Sequence, residues 1–243
     1  IDREPPVEAF LMGRNEWRKF SQWPPAEATI QKWYLHSGGK ANTAKGDGKL
    51  STDSPAKEQP DHYTYDPKNP YIPHTFKSDL AKQADNTSLD MTSDEKDPNL
   101  LVYSSGSLKS DVVVAGPLFL RIAASTSAKD TDWFAYISDV FPDGKSLTLA
   151  QGILRARFRN SFEKPTLLKP NEVANYELDL WSLGHVFQKG HQIRIVITSS
   201  CFPIYDRNLN TGEDIATGTR MITAKQTLFH EPGKESYLLL PVL

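Results

Sequence analysis

One pair of long apolar segments, within residues 131–159, constrains what this chain can fold into more than any other stretch. The segments TDWFAYISDVF and KSLTLAQGILRARFR flank the tripeptide PDG at positions 142–144. Proline fixes one backbone dihedral angle and glycine tolerates a positive φ, so the two together are typical of a tight turn. Two strand-like segments joined by such a turn predict a β-hairpin.

Both strands of this predicted hairpin carry apolar residues on both faces. In the first strand, Trp133, Ala135 and Ile137 alternate with Phe134 and Tyr136. A strand in a sheet with one solvated face would instead alternate apolar and polar residues. We therefore expect the hairpin to lie in the middle of a two-sheet sandwich, covered on both sides.

Short strand-like segments surround the hairpin along most of the chain. Each apolar segment after residue 100 is bounded by Gly, Pro, Asn or Asp, and helical periodicity is nearly absent. Many short strands with regular turn signals and no helices between them predict an all-β fold, a two-sheet jelly-roll sandwich. Residues 7–12 also have a strand pattern, but Pro24 and Pro25 follow and indicate a boundary. We accordingly divide the chain into residues 1–25 and a sandwich domain of residues 26–243.

Composition excludes several classes of function. The formal net charge of the 243 residues is −2, so no basic field favours nucleic acid as a partner. No apolar segment approaches the length of a membrane span, and no membrane partner is expected. The single cysteine, Cys201, cannot form an internal disulfide, so the cellular compartment is left open. The start at Ile1 is typical of a mature end or a fragment boundary.

Motifs for catalysis and for cofactors are absent from the sequence. Ser37 and Ser107 are the nearest candidates for a hydrolase nucleophile, but neither has the two flanking glycines of a G-x-S-x-G elbow. The six histidines show no metal-ligand spacing. Asp130 and Asp132 could ligate calcium, although carboxylates at the start of a strand more often face solvent or cap a turn. We therefore predict no catalytic residue, no cofactor and no metal in this chain.

One loop, residues 202–212, is a candidate functional site. It follows the apolar strand HQIRIVITSS and concentrates polar and aromatic side chains: Tyr205, Asp206, Arg207, Asn208 and Asn210. One interpretation is a surface for a ligand or partner at the end of a buried strand. The other is a structured turn whose side chains bond their own backbone. We expect a stiff, internally hydrogen-bonded loop in which Pro203 ends the strand ladder, Tyr205 packs back on the sheet, and Asp206 and Arg207 each bond to a partner other than one another. Asp206 and Asn208 would stabilise the loop if they are buried and bonded.

These segments together resemble a known family. VEAFLMGRNEWRKFSQWPP is similar to the strand and linker that leave the catalytic domain of cocaine-esterase-like acyl hydrolases, relatives of the X-prolyl dipeptidyl peptidases and cephalosporin acylases. YLHSGGKANT, LVYSSGSLKSDVVVAGP, the DTDWFAYISDVFPDG hairpin and FQKGHQIRIVITSSCFPIYDRNLNTGE resemble the C-terminal domain of that family, in order. The resemblance covers nearly the whole chain.

The resemblance implies a galactose-binding-like jelly roll docked on an α/β-hydrolase domain that carries a Ser-His-Asp triad. Residues 1–25 would then come from the end of that hydrolase domain, and residues 7–12 should stay outside the sandwich and either pair with little or borrow an edge from a neighbour. No triad residue can be transferred to this sequence, so enzymatic activity of the chain itself is left uncertain. The resemblance is weakest across residues 71–94, which puts a substrate-facing role of His74 and Phe76 in doubt.

Two hypotheses for function follow. The first is a non-catalytic domain that shapes the active-site cleft of a serine acyl hydrolase or dipeptidyl peptidase and stabilises that protein. Its partner would be the α/β-hydrolase domain of the same polypeptide, with a homodimer as a further alternative, and the loop at 202–212 would face the catalytic domain. The second is a carbohydrate-binding module, because the same jelly-roll shape serves that purpose. The choice among ester, amide and X-Pro peptide substrates stays open.

Overall fold

The computed structural model describes residues 5–74 and 90–243. Its regular structure is almost entirely β, with two short 3-10 turns at Asp94–Lys96 and Ala156–Phe158. The described strands are β1 (Val7–Leu11), β2 (Glu16–Phe20), β3 (Thr29–His36), β4 (Lys49–Ser51), β5 (Asp61–Tyr65), β6 (Leu101–Ser104), β7 (Val112–Thr126), β8 (Asp132–Val140), β9 (Ser146–Arg155), β10 (Ala174–Phe187), β11 (Gln192–Thr198), β12 (Ala224–Leu228) and β13 (Tyr237–Val242).

Eleven strands form one ladder that folds back on itself into two layers. The order is β5-β12-β7-β13-β3-β4-β6-β11-β8-β9, and β10 is a further partner of β7. The short strand β4 joins the layers through one parallel bridge, between Lys49 and Ser104. Strand β10 of one layer contacts β9 and β8 of the other. The predicted all-β sandwich is confirmed.

The predicted hairpin is strands β8 and β9. They pair antiparallel from Asp132 opposite Arg155 to Val140 opposite Ser146. Gly144 has a φ of 90° and its N–H donates to the carbonyl oxygen of Phe141 at 2.9 Å, which closes the turn. Its expected place in the middle of the sandwich is wrong, because β9 is the last strand of the ladder. The apolar residues on both faces of β8 correctly predicted that both faces are buried. They did not predict the position of the hairpin, because loops and the opposite layer cover a strand as well as neighbouring strands do.

Strand β8 separates two apolar clusters. All nine of its residues are buried. Trp133, Ala135 and Ile137 belong to the main core between the layers. Phe134 and Tyr136 belong to a second cluster on the other face. The buried partners of that second cluster are Tyr71, Met91, Leu100, Val102, Val196 and Cys201.

The N-terminal segment forms a hairpin of its own. Strand β1 pairs with β2 over its whole length, which corrects the expectation that residues 7–12 pair with little. Strand β2 was not predicted, because its sequence EWRKF is mostly charged and was interpreted as part of a linker. The hairpin stays outside the large sheet, as expected, but Met12 exchanges hydrogen bonds with Gly184 and Val186 of β10 at 3.0 and 2.8 Å. Leu11 is fully buried, so this hairpin is packed against the sandwich.

Within the part of the chain that the structure describes, no helix has the length and apolar character needed to cross a membrane.

Candidate functional site

The candidate loop begins where the buried strand β11 leaves the sheet. The ladder ends at Thr198, four positions ahead of Phe202, so the expectation that Pro203 ends the pairing is wrong. Just after the strand, a side-chain hydrogen bond holds the chain where backbone pairing has ended: the Ser199 hydroxyl lies 2.7 Å from the Tyr63 hydroxyl. The chain is thus already fixed before it reaches the loop.

Asn208 is the centre of the loop. Its side-chain Nδ2 donates to Asp130 Oδ2 at 2.9 Å and to Asp132 Oδ1 at 2.8 Å. Its Oδ1 accepts the backbone N–H of Asn210 at 2.9 Å, and its carbonyl oxygen accepts the Tyr65 hydroxyl at 2.9 Å. Both amide protons and both oxygens therefore have partners. Because Asn208 is only 1% exposed, these bonds are shielded from water and hold the loop in one position.

The two aspartates are paired with arginines of the facing strand and its extension. Asp132 accepts Arg155 Nε and Nη2 at 2.9 and 3.1 Å, a bidentate pair. Asp130 accepts the backbone N–H and Nε of Arg157 at 3.0 and 2.8 Å. Both carboxylates are fully buried. The carboxylates considered as calcium ligands are therefore paired with two guanidinium groups, which balance their two negative charges.

The electrostatic state of this cluster depends on the whole set of partners. Burial raises the pKa of Asp132 above its ordinary value, while the hydrogen bonds from Arg155 and Asn208 act in the opposite direction. Removing either partner would leave a buried carboxylate with less compensation, which is the costly case for a buried charge. Asn208 thus stabilises both the loop and the charge pairs beneath it.

The second half of the loop is also fixed by its backbone. Asn210 has a φ of 63° and Gly212 a φ of 81°, the left-handed conformation that asparagine and glycine tolerate best. Asn210 Nδ2 donates to the carbonyl oxygen of Ile222 at 2.6 Å. Arg157 Nη2 donates to the carbonyl oxygen of Glu213 at 3.1 Å. Ile222 and Glu213 lie outside residues 202–212, so the rigid unit is larger than the predicted loop.

The tip of the loop projects into solvent. Ile204 and Tyr205 are 42% and 37% exposed, and Asp206 is exposed as well, so the condition under which Asp206 would stabilise the loop is not met. Tyr205 packs back as predicted, with its ring centroid 5.4 Å from that of Phe134. Arg207 Nη1 donates to the carbonyl oxygen of Pro67 at 3.2 Å. The tip is therefore held at its base and free at its surface.

A second segment extends this exposed surface. The side chain of Leu167 reaches within 3.0 Å of the point where a Cβ on Gly212 would lie, so Leu167, the last residue of the segment 162–167, adjoins the loop. Nine large hydrophobic side chains of the described residues are exposed, and residues 162–167 and the loop contribute four of them: Phe162, Leu167, Ile204 and Tyr205. A fifth is Ile222, whose carbonyl oxygen accepts Asn210 Nδ2 of the loop. Such a concentration of exposed apolar side chains is typical of a contact surface.

The other residues considered in the sequence lie elsewhere. His74 is exposed and its backbone N–H donates to Asp94 Oδ1 at 2.8 Å. Phe76 lies outside the described residues. Among the described residues, no contact joins His74 to the loop.

Neither candidate serine has a histidine partner in the described structure. Ser37 Oγ lies 2.7 Å from Asp47 Oδ1 and 2.8 Å from Asp61 Oδ1, and Ser107 Oγ donates to the carbonyl oxygen of Gly190 at 3.2 Å. The base that activates a serine nucleophile is usually a histidine, and the described structure places none beside either serine. Across residues 5–74 and 90–243, no group of three or more His, Cys, Asp or Glu side chains is arranged to hold a metal ion.

Comparison with known proteins identifies the family. The family model described as the X-Pro dipeptidyl-peptidase C-terminal non-catalytic domain matches residues 1–239. The chain belongs to this family. This confirms the resemblance seen in the sequence.

Individual members of the wider group are similar over nearly the whole chain. Cocaine esterase from Rhodococcus sp. (strain MB1 Bresler) is 37% identical over 241 residues, which are 98% of this chain and 42% of the esterase. An aminopeptidase from the marine sediment archaeon Thaumarchaeota archaeon has a TM-score of 0.89 at 28% identity, over 98% of this chain and 40% of that one. An α-amino acid ester hydrolase gives 0.89 at 30% identity, over 98% and 41%. The chain thus spans about two fifths of the length of these relatives.

Sequence reasoning missed the residues beneath the loop. Arg155, Arg157 and Tyr65 were not singled out, although they hold Asp132, Asp130 and Asn208. Part of a signal was available, because Arg155 lies at the end of the predicted hairpin away from the PDG turn, but only a bulge between Ile137 and Ser138, which shifts the register by one residue, places Arg155 opposite Asp132. No comparable local signal connects Tyr65 with Asn208.

Proposed function

We propose that this chain is the non-catalytic β domain of a serine hydrolase, joined on one polypeptide to an α/β-hydrolase domain, and that its loop at residues 202–212 forms one wall of the active-site cleft. The observation that carries the proposal is an exposed apolar tip, Ile204 and Tyr205, on a base fixed by the buried Asn208. The membership of the chain in a non-catalytic domain family supports the assignment of chemistry to another domain.

The construction of the loop suits a cleft wall. A wall must keep its position when substrate binds, and this requires side chains that are locked by packing and by hydrogen bonds beneath them. Asn208 supplies that support through Asp130 and Asp132, while the tip keeps its surface free for contact. The neighbouring apolar side chains Phe162 and Leu167 would extend the surface that meets the catalytic domain.

The names of the relatives indicate the class of substrate. They include an esterase, an α-amino acid ester hydrolase and an aminopeptidase. All three names describe the cleavage of an acyl bond, to oxygen or to nitrogen. The longer protein is accordingly a hydrolase of esters or amides, with the tip of the loop contributing to selection of the acyl or leaving group.

The test compares two exposed isoleucines in the longer polypeptide. Ile204→Ser alters the tip, and Ile30→Ser alters strand β3, where Ile30 is 54% exposed. We expect Ile204→Ser to change kcat/KM for an activated ester by ~10-fold, with an unchanged melting temperature, since one apolar contact to substrate is worth about 1–3 kcal/mol. Ile30→Ser should leave both quantities unchanged. Equal activity of both variants and the parent would show that the loop does not line the active-site cleft.

The carbohydrate-binding alternative has one observation in its favour. Trp181 is 74% exposed at an irregularity of strand β10, with a φ of 66° and its N–H bonded to Asp179 Oδ1 at 2.8 Å. An aromatic ring presented in this way can stack on a sugar ring. Retention of the chain in gels that contain polysaccharide, abolished by Trp181→Ala, would support this second function. Equal migration with and without polysaccharide would argue against it.

A further inference from the structure

A cleft of about 710 Å³ lies at the opposite end of the β8–β9 hairpin from the loop at residues 202–212. Its lining includes Val140, Phe141, Pro142 and Gly144, which belong to the turn end of that hairpin. The loop is anchored at Asp132, at the other end of a nine-residue strand. At ~3.3 Å per residue the two places are roughly 26 Å apart, so the cleft is separate from the proposed cleft wall.

The charged side chains that line this cleft are mostly cationic. Lys45 and Lys96 are exposed, and neither forms an ion pair with any described residue. Arg194 is 8% exposed and also lines the cleft. Glu95 is the single carboxylate among the lining residues that the structure gives. Three positive charges therefore meet one negative charge.

The buried pair at the base of the cleft is already arranged. Glu95 binds Arg194 through Oε2 and accepts the Ser146 hydroxyl through Oε1 at 2.6 Å. Arg194 Nε donates to Ser104 Oγ at 2.7 Å, while its Nη2 has no acceptor among the described residues. Gln192, on the same strand, also lines the cleft. Its side-chain amide has no hydrogen-bond partner among the described residues. Donors and positive charge thus remain available after the internal bonds are counted.

The other wall is apolar. Val140, Phe141 and Pro142 face the cleft, and the volume is within the range of about 300–1,000 Å³ that is typical of small-molecule sites. A guanidinium group favours carboxylate or phosphate, and ammonium groups at the rim attract either anion. We propose that this cleft binds a small organic anion, one that carries a carboxylate or phosphate group next to an apolar group.

The test uses phenyl phosphate as the probe and the chain itself, at constant ionic strength. Amide resonances in ¹H–¹⁵N spectra should shift saturably at Lys45, Lys96, Gly144 and Gln192. Inorganic phosphate and phenol, which each present half of the probe, should bind more weakly. No saturable shift by about 10 mM probe would overturn the proposal, because affinity weaker than that is below the range of specific sites.

Matched variants separate a site from general attraction of an anion to lysines. The double variant Lys45→Met and Lys96→Met removes two charges at the cleft without breaking an ion pair of the described structure. The control, Lys164→Met and Lys225→Met, removes two exposed lysines outside it. We expect the first to weaken binding by ~10-fold and the control by less than about twofold. Equal losses, or shifts spread over lysines across the surface, would show nonspecific attraction and overturn the proposal, as would equal binding of inorganic phosphate.

Discussion

The side-chain amide of Asn208 lies 2.8 Å from a carboxylate oxygen of Asp132, although 76 positions separate the two residues. Asp132 begins strand β8, and Asn208 lies in the loop that follows β11, the antiparallel neighbour of β8. The bond therefore connects the loop directly to the sheet beneath it. The geometry of the candidate site is set by the paired strands, and the sequence of the loop alone does not determine it.

Replacing Asn208 with Ala should lower the free energy of unfolding by about 1–3 kcal/mol, because two buried carboxylates lose a donor. Urea denaturation of the chain measures the change. Asp206→Ala is the matched control in the same loop, and since Asp206 is exposed its effect should stay within about 0.5 kcal/mol. If the two variants unfold at the same urea concentration, the buried cluster does not stabilise the fold.

Asp61 should make stability depend on pH at the acidic end. Burial alone would raise its pKa, but hydrogen bonds from His230, the Ala41 N–H and Tyr103 outweigh burial and hold the pKa below its ordinary value. The unfolded chain then takes up the proton first as pH falls, so the stabilisation is present above about pH 4 and is lost as pH falls through the folded pKa. Asp61→Asn should therefore flatten the decline in unfolding free energy between about pH 7 and about pH 3.

The control for this measurement is Glu163→Gln, which changes an exposed carboxylate outside the network. It should reproduce the pH profile of the parent chain. A profile of Asp61→Asn parallel to that of the parent would show that the Asp61 carboxylate is not responsible for acid sensitivity. Because the variant will be less stable at every pH, the slope of the profile decides the question.

Gly152→Ala should destabilise the sandwich by about 1–3 kcal/mol through overpacking. A Cβ at Gly152 would lie 2.2 Å from the carbonyl oxygen of Asp179 and 2.8 Å from a methyl carbon of Leu180, where β9 meets β10 of the opposite layer. Thermal or urea unfolding checks the effect. Gly106→Ala, with nothing within 4 Å of the new methyl group, should change stability by less than about 0.5 kcal/mol. Similar losses in both variants would mean that the layers can separate to accept the methyl group.

This chain alone should not hydrolyse activated esters. Among the described residues, Ser37 and Ser107 have no histidine partner, the base that usually activates a serine nucleophile. Turnover of p-nitrophenyl acetate by the chain should match that of a heat-treated sample. Saturable burst kinetics, together with labelling of one serine by a serine-reactive probe, would contradict this expectation.

Local patterns predicted the strands and the two-sided burial of β8, because side chains alternate with a period of two in any strand. That rule placed Trp133 in one cluster and Phe134 in the other without knowledge of their partners. The same rule could not give the position of the hairpin within the sheet. Apolar residues on both faces show that a strand is covered, and loops and the opposite layer provide coverage as well as neighbouring strands do.

Long-range partners explain the remaining differences. Asp130 and Asp132 are consistent with calcium ligands when read alone, and only the folded chain brings Arg157 and Arg155 to them. The burial of Asn208 and the exposure of Asp206, two positions apart, likewise depend on which side of the loop meets the sheet. Strand β2 was missed because three of its five residues are charged and no apolar alternation marks it as a strand, although its backbone pairs fully with β1.

The loop after β11 separates its support from its surface: Asn208 is buried, whereas Ile204, Tyr205 and Asp206 at the tip are exposed. Evolution or an engineer can therefore exchange the tip for other side chains without moving the segment that positions it. A library randomised at these three exposed positions would sample new recognition chemistry on a constant frame. Under the proposed role in the cleft wall, the same division would let this domain diversify selectivity while the strands beneath the loop stay the same.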